Sequence, residues 1–329
     1  MTSAPRKSFE VRVPASTANL GAGFDFLGLA LELYLKARAT VLSKPGARIM
    51  ARSSGVRGSS KFPSAPEENL IFRAMRHTAE REGFELPPLR LAVQNQIPVA
   101  GGLGSSAAAT AAGVALAFAL GGGESRRDSM FMPGSASTTP DTLLRHAAAI
   151  EGHTDNVAAS IFGGLVVTLP LWDGTVVAVH KRWPKMIRVI AVTPTLELAT
   201  KKSRAVLPDS VPLADAVHNL QRSALFVAAI EERRYELLWD AMRDRLHQAH
   251  RQRLIPGLAE VLSMPRMPGL LGLALSGAGP SVVALATDRY EEISKAIASR
   301  FEQHGLACSV RKLEAAQEGL SVTETRSRR

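Results

Sequence analysis

Cysteine is nearly absent from the sequence: Cys308 is the one cysteine among 329 residues. A disulfide framework and a zinc site built from thiolates both require several cysteines, so the sequence excludes both. Proteins of a reducing compartment commonly carry few cysteines and leave them unpaired. We therefore predict a cytoplasmic location.

Long hydrophobic runs are missing as well. The most apolar stretch, residues 107–123, is shorter than the roughly 20 residues that span a bilayer, and it consists mostly of alanine. No apolar segment follows the first basic residues of the chain, so we expect no signal peptide. The sequence therefore predicts a chain without a membrane segment, in which residues 107–120 form a buried helix.

Acidic residues are fewer than basic ones. The chain has 40 Lys and Arg against 30 Asp and Glu, which gives a formal net charge of +10. This balance is compatible with nucleic acid, a membrane surface or an anionic small molecule such as a nucleotide. Aromatic residues make up only 5% of the chain and are not interleaved with the basic ones, which argues against nucleic acid.

The apolar spacing predicts an α+β chain of about two domains, residues 1–182 and 183–329. Strands are expected at residues 9–16, 88–98, 162–172 and 187–194, and on both sides of a glycine turn within residues 270–287. Helices are expected at residues 69–84, 107–120, 142–153 and 290–305, and residues 214–253 have a helical pattern. Residues 17–25, 43–69 and 121–141 are rich in turn and loop residues.

Three glycines follow the strand predicted at residues 88–98. Gly101, Gly102 and Gly104 stand directly before two serines and the alanine-rich helix. Glycine lets the backbone approach a ligand closely, and the start of a helix offers unpaired N–H groups to an anion. The segment GGLGSSA lacks the Lys-Ser/Thr of a Walker A loop and does not match GxGxxG. It predicts a different kind of phosphate site, and the alternative is a tight turn into a buried helix.

This segment is the first of several that resemble a known family. Residues 98–108, PVAGGLGSSAA, match the signature PxxxGLGSSAA of the GHMP kinases, the superfamily of galactokinase, homoserine kinase, mevalonate kinase and phosphomevalonate kinase. Residues 273–285, LALSGAGPSVVAL, are similar to a second glycine-rich motif of that superfamily. The resemblance implies two α+β domains, with ATP and a substrate bound in the cleft between them.

Two further segments resemble the homoserine kinases in particular. They are VPASTANLGAGFDFLGLAL at residues 13–31 and EGHTDNVAASIFGG at residues 151–164, in which Thr154 replaces the usual proline. No lysine occurs between Lys7 and Lys36, which argues against the superfamily members that begin with a lysine-bearing motif. The resemblance implies an enzyme that uses ATP to phosphorylate the hydroxyl of L-homoserine, a step towards threonine.

Other functions stay open at this point. The chain could be a GHMP kinase for another small hydroxylated substrate, or an inactive protein that senses ATP without transferring phosphate. Homodimers occur in the family, so a homodimer is a possible assembly. No nucleic-acid or membrane partner is expected.

The resemblance implies an ATP site in the two glycine-rich segments. Its expected contacts are Pro98, Val99, Ala100, Gly101, Gly102, Leu103, Gly104, Ser105, Ser106, Ala107, Ala108, Gly277 and Gly279. Asn69, the expected N-cap of its helix, is also the candidate for adenine, because an amide can both donate to and accept from the ring. Magnesium needs hard oxygen ligands, for which Ser105 or Ser106 and Glu151 are the candidates.

Homoserine is a zwitterion, so its site needs an acid for the ammonium and cations for the carboxylate. By the resemblance, Asp25 holds the ammonium with Asn19 beside it, and Arg204 and Arg251 bind the carboxylate. Alternatively, Asn19 and Asp25 only cap turns. The family pattern around Arg251 is partly substituted here, which leaves Arg253 as a rival.

His153 and Asn156 are expected near the reactive hydroxyl and are, together with Arg251, the candidate catalytic residues. Alternatively, His153 caps a helix or lies satisfied in the core. Asp155 is expected to be structural. The resemblance implies no dedicated general base, so the proton would pass to the γ-phosphate itself.

Overall fold

The computed structural model describes residues 7–43, 47–53, 65–121 and 138–326. Most of the loop predicted at 121–141 lies outside the described residues, as do residues 44–46 and 54–64 of the loop predicted at 43–69. Within the part of the chain that is described, no helix is both long and apolar enough to cross a membrane.

The strands and helices follow one another in short runs along the chain. The strands are β1 (Lys7–Asn19), β2 (Gly23–Val41), β3 (Ala47–Ser53), β4 (Leu89–Asn95), β5 (Leu165–Pro170), β6 (Val176–Lys181), β7 (Arg188–Pro194), β8 (Leu270–Leu275), β9 (Val282–Ala286), β10 (Cys308–Leu313) and β11 (Ser321–Arg326). The helices are α1 (Leu70–Glu82), α2 (Ser105–Gly121), α3 (Pro140–Glu151), α4 (Asp155–Phe162), α5 (Thr200–Arg204), α6 (Leu213–Glu231), α7 (Leu238–Ala241), α8 (Gln248–Arg251), α9 (Leu258–Leu262) and α10 (Tyr290–Glu302).

The strands form two sheets. In the larger one β11, β1, β2, β4 and β3 lie side by side, and β5 joins β2 to β6. In the smaller one the order is β10, β7, β9 and β8. The chain passes from the larger sheet to the smaller one between β6 and β7, and the domain division at residue 182 stays a prediction. The last strand, β11, returns to the larger sheet and pairs antiparallel with β1.

Helix α2 is buried in the hydrophobic core that it shares with the larger sheet, as its composition predicts. Nearly every side chain from Ala107 to Ala117 is buried, and small side chains let the neighbouring elements approach. Gly113 faces the backbone of Ile71 on α1 so closely that a Cβ would collide with it. The ends of α1 also follow the sequence: Asn69 accepts a hydrogen bond from the N–H of Phe72, and Gly83 closes the helix with φ of 70°.

One local expectation is wrong: residues 17–25, expected to be a turn, are mostly strand, with only 20–22 turning between β1 and β2. Residues 214–253, expected to be helical, form the separate helices α6, α7 and α8. Helix α7 does not continue into α8, because the Asp244 carboxylate accepts the backbone N–H groups of Leu246, His247 and Gln248. A side chain that takes these N–H groups replaces the helical acceptors, so a new helix starts there.

Candidate active site

A cavity of about 520 Å³ is lined by segments from both halves of the chain. It collects most of the residues that the sequence nominated: Asn19, Asp25, Pro98, Ala100, Gly101, Gly102, Gly104, Ser105, Ser106, Ala107, Glu151, His153, Asn156, Arg204, Arg251, Gly277 and Gly279. Four nominated residues do not line it. They are Asn69, Val99, Leu103 and Ala108, and the last two are fully buried in the core.

One wall of the cavity consists of the two glycine-rich segments, which are bonded to each other. The Ser276 hydroxyl donates to the carbonyl of Gly102 over 2.6 Å, and the Ser281 hydroxyl donates to the carbonyl of Gly101. Gly102 has φ of 77°, and a Cβ there would lie 2.7 Å from the Ser276 carbonyl oxygen and 2.8 Å from that of Gly279. Only glycine fits this close approach of two loops.

The start of α2 opens into the same wall. Its first helical hydrogen bond runs from the N–H of Ala108 to the carbonyl of Gly104, over 2.9 Å. The N–H groups of Ser105, Ser106 and Ala107 precede this bond, and the first turn carries no acidic residue. These donors and the positive end of the helix dipole form an anion site.

A carboxylate lies next to this helix start. Glu151, at the end of α3, accepts hydrogen bonds from the hydroxyl of Ser106 over 2.8 Å and from that of Thr110 over 2.6 Å. Ser105, the other candidate, lies within 3.4 Å of the Asn95 amide instead. Mg²⁺ that is coordinated mainly by substrate phosphates needs only one or two oxygen ligands from the protein. One carboxylate with neighbouring hydroxyls fits this requirement. The described residues include no cluster of three or more His, Cys, Asp or Glu side chains suited to a metal ion.

Opposite charges meet at another part of the cavity. The Arg204 guanidinium donates to both oxygens of Asp25, over 2.9 and 2.7 Å. This hydrogen bond raises the pKa of Arg204. Asn19 fixes the backbone of Asp25, because its side-chain oxygen accepts the Asp25 backbone N–H over 3.0 Å. The side-chain nitrogen of Asn19 donates to the carbonyl of Gly277. Both Asn19 and Asp25 have positive φ, 71° and 64°, a strained conformation that clusters at functional sites.

Arg251 lies behind this pair with only 2% of its surface exposed. Its Nε donates to the carbonyl of Ser203 over 3.3 Å, and its Nη1 donates to that of Gly277 over 2.9 Å. Burial and the nearby charge of Arg204 lower the pKa of Arg251 to about 10. The side chain therefore keeps its charge near neutral pH. Arg253, its rival, is exposed and does not line the cavity.

His153, Asp155 and Asn156 form a third group at the junction of α3 and α4. The Asp155 carboxylate accepts the backbone N–H of Asn156 over 2.7 Å and contacts Nδ1 of His153 over 3.1 Å. The second contact raises the pKa of His153. The Asn156 side-chain oxygen accepts a hydrogen bond from the Ser16 hydroxyl over 3.0 Å, which leaves its amide nitrogen to face the glycine turn near Gly277.

Comparison with known proteins agrees with this geometry. The family models described as GHMP kinases N terminal domain and GHMP kinases C terminal match residues 69–164 and 226–304. The homoserine kinase of Solibacter usitatus is 38% identical over 98% of this chain and 99% of its own length. The homoserine kinase of Saccharomyces cerevisiae is 35% identical over 97% of this chain and 99% of its own length. The chain belongs to the homoserine kinases of the GHMP kinase family.

A solved homoserine kinase structure has the same fold. The crystal structure of the enzyme from Cytophaga hutchinsonii covers 96% of this chain and 97% of its own, with a TM-score of 0.79 and 28% identity. The α+β architecture expected from the sequence is thereby confirmed for this GHMP kinase.

The structure gives Asn69 a capping position. It is fully buried and accepts the N–H of Phe72 over 3.2 Å, so its contact with adenine stays a prediction. Sequence reasoning also missed residues of this kinase's cavity, among them Thr200, Lys201 and Ala278. Thr200 and Lys201 stand beside Arg204 on α5, and that proximity in sequence was the available signal.

Proposed function

We propose that the protein transfers the γ-phosphoryl group of ATP to the side-chain hydroxyl of L-homoserine, giving O-phospho-L-homoserine. The observation that carries the proposal is the content of the one cavity described above. A phosphate site at the start of α2 and a set of charges suited to a zwitterionic amino acid line the same space. The relatives named homoserine kinase support the same substrate.

The charged groups define how homoserine would bind. Asp25 takes the ammonium, with Asn19 fixing the position of its backbone. Arg204 and Arg251 take the carboxylate, since the planar guanidinium can bind both carboxylate oxygens. Holding both ends of the small molecule fixes the direction of its hydroxyl, and such positioning contributes much of the rate in phosphoryl transfer.

The reacting hydroxyl would lie between His153 and Asn156. The Asn156 amide nitrogen is free to hydrogen-bond an oxygen of the substrate or of the transferring phosphoryl group, and His153, whose pKa is raised by its contact with Asp155, lies beside it. The N–H groups of Ser105, Ser106 and Ala107 stabilise the charge on that group, because donors already in place cost no reorganisation during the reaction.

The proton of the hydroxyl passes to the γ-phosphate in this proposal. Asp155 is the rival base, but the residue is only 3% exposed and one oxygen of its carboxylate already contacts Asn156 and His153. We expect Asp155→Asn to keep at least about a tenth of the wild-type kcat, because the role of Asp155 in this proposal is to position His153 and Asn156. Loss of turnover with fold and homoserine binding intact would make Asp155 the base.

Magnesium would be held by Glu151 and a serine hydroxyl, with Ser106 in contact with that carboxylate. When bound, Mg²⁺ neutralises phosphate charge. We expect Glu151→Gln to raise the Mg²⁺ concentration needed for half-maximal rate at least about tenfold, the effect of losing roughly 1.4 kcal/mol of binding. The exposed Glu80→Gln on α1 is the matched control and should leave the Mg²⁺ requirement unchanged.

The deciding experiment measures ATP turnover by purified protein with homoserine, mevalonate and sugars as acceptors. The proposal expects turnover with homoserine and release of ADP in equal amount to O-phosphohomoserine. Preference for another acceptor would assign a different GHMP kinase activity. Binding of homoserine and ATP without transfer would make the protein a sensor. From the single cysteine we further infer a cytoplasmic enzyme.

A further inference from the structure

His247 lies outside the cavity lining, directly behind Arg251, and is fully buried. It is the N-cap residue of the short helix α8, so that it stands one turn before Arg251 on the same face. Its Nδ1 is 3.0 Å from Nη1 of Arg251, and its Nε2 is 2.9 Å from the carbonyl oxygen of Gly21. The ring therefore connects the cavity arginine to the turn between β1 and β2.

These two contacts fix the protonation of the ring. A guanidinium has only donors, so Nδ1 of His247 must be the acceptor. The Gly21 carbonyl has only acceptor lone pairs, so Nε2 carries the proton. His247 is therefore a neutral imidazole in a single tautomer. Burial, together with the charge of Arg251, lowers the pKa of His247 and keeps it in this form.

The ring is also held in place. It stacks on Phe24 with centroids 5.0 Å apart and an angle of 22° between the planes. Asp244 accepts the backbone N–H of His247 over 3.0 Å, and its carboxylate lies 3.7 Å from Nε2. Orientation of the side chain is thus determined by packing on one side and by polar contacts at both nitrogens.

The hydrogen bonds of Arg251 show what this fixed ring does. A guanidinium offers five N–H groups. Nε donates to Ser203, and Nη1 donates to His247 and Gly277. Among the described residues nothing accepts from the N–H groups of Nη2, although the side chain is almost fully buried and lines the cavity. The guanidinium group is therefore held through Nε and Nη1, and its Nη2 can bind a ligand in the cavity.

We propose that His247 is a positioning residue that holds the Arg251 guanidinium so that Nη2 meets the carboxylate of the amino-acid substrate. The inference rests on the proposed function, which supplies that carboxylate. It predicts that His247 acts on substrate affinity through Arg251 and leaves ATP binding and the chemical step untouched.

Two substitutions separate the contacts of the ring. In His247→Asn the amide oxygen can replace Nδ1 as acceptor for Arg251. In His247→Gln the longer amide reaches the position of Nε2 and leaves Arg251 without its acceptor. We expect the Gln variant to raise the homoserine KM at least about tenfold, with kcat and the ATP KM within about twofold of wild type, and the Asn variant to restore most of the loss. Equal effects of both variants, or a fall in kcat alone, would overturn the role.

The amino alcohol 3-aminopropan-1-ol, which is homoserine without its carboxylate, is the second probe. If His247 acts through the carboxylate contact, the Gln substitution raises the homoserine KM but leaves that of the amino alcohol unchanged. An equal loss for both compounds would show a general structural effect and overturn the proposal. Calorimetric titration with homoserine separates this test from that of the proposed function. If the wild-type protein binds homoserine without turnover, the kinase activity is contradicted. If the wild type and the Gln variant bind homoserine with equal affinity, the positioning role is contradicted.

Discussion

Arg204 donates two hydrogen bonds to the carboxylate of Asp25, which lies 179 residues away in the chain, inside the cavity. In the proposed function Arg204 binds the carboxylate of homoserine and Asp25 binds its ammonium group. The two side chains are both 38% exposed, so the energy of this pair is reduced by solvent screening and is small. An incoming zwitterion can replace both halves of the pair at once. A ligand with only one of the two charges would leave the other side chain without a partner, so the proposed site favours zwitterionic amino acids over amines and carboxylic acids.

Replacing Asp25 by Asn tests the ammonium contact. Charge-assisted hydrogen bonds contribute about 1.5–3 kcal/mol, which corresponds to a rise in the homoserine KM of roughly tenfold to a hundredfold. Steady-state kinetics with each substrate varied in turn measures the change. The ATP KM serves as the internal control and should stay the same. A homoserine KM equal to that of wild type would leave Asp25 with only a structural role.

Arg251→Ala and Arg253→Ala form a matched pair, because the two arginines are two residues apart and only the first lines the cavity. Arg251→Ala removes a charged, almost fully buried donor, so we expect the homoserine KM to rise at least about a hundredfold. Arg253→Ala should change it by less than about twofold. Kinetics of both variants, with circular dichroism to verify folding, decides between them, and the reverse ranking would assign the carboxylate to Arg253.

Gly102→Ala tests the close approach of the two glycine-rich segments. The added methyl group would collide with two carbonyl oxygens, so we expect a loss of about 1–3 kcal/mol in the free energy of unfolding and weaker ATP binding. Gly174→Ala is the control, since Gly174 has a similar φ of 81° but open space around its Cβ position. Chemical denaturation and nucleotide titration measure both effects. Equal losses in the two variants would attribute the effect to backbone strain alone.

His153→Gln predicts a pH-dependent change in stability. The contact with Asp155 raises the pKa of His153 above its ordinary value of 6.5, so protonation stabilises the folded protein. That contribution is fully present below pH 6.5 and is lost as the pH rises through the higher pKa of the folded state. The difference in Tm between wild type and variant should therefore be largest in acid and shrink towards pH 9. A difference that does not depend on pH would show that the imidazolium–carboxylate contact contributes nothing.

Local patterns predicted the parts of the fold that depend on neighbouring residues. The helix cap at Asn69, the glycine end at Gly83 and the strand–loop–helix around Gly102 all follow from a few consecutive residues. The restart of the helix at Asp244 did not, because apolar spacing says nothing about a side chain that takes backbone N–H groups. The pairing of Asp25 with Arg204 also required tertiary structure, since no local rule connects residues so far apart in the chain.

The return of β11 to the first sheet has a consequence for how the protein unfolds. β11 covers the edge of β1, and the segment leading to it contributes Leu313, Ala315 and Leu320 to the same hydrophobic cluster as Val11 and Ala108. A fragment ending at residue 182 would expose that edge and lack those side chains. We therefore expect that detachment of the last strand destabilises the larger sheet, so that loss of residues 183–329 lowers the stability of residues 1–182.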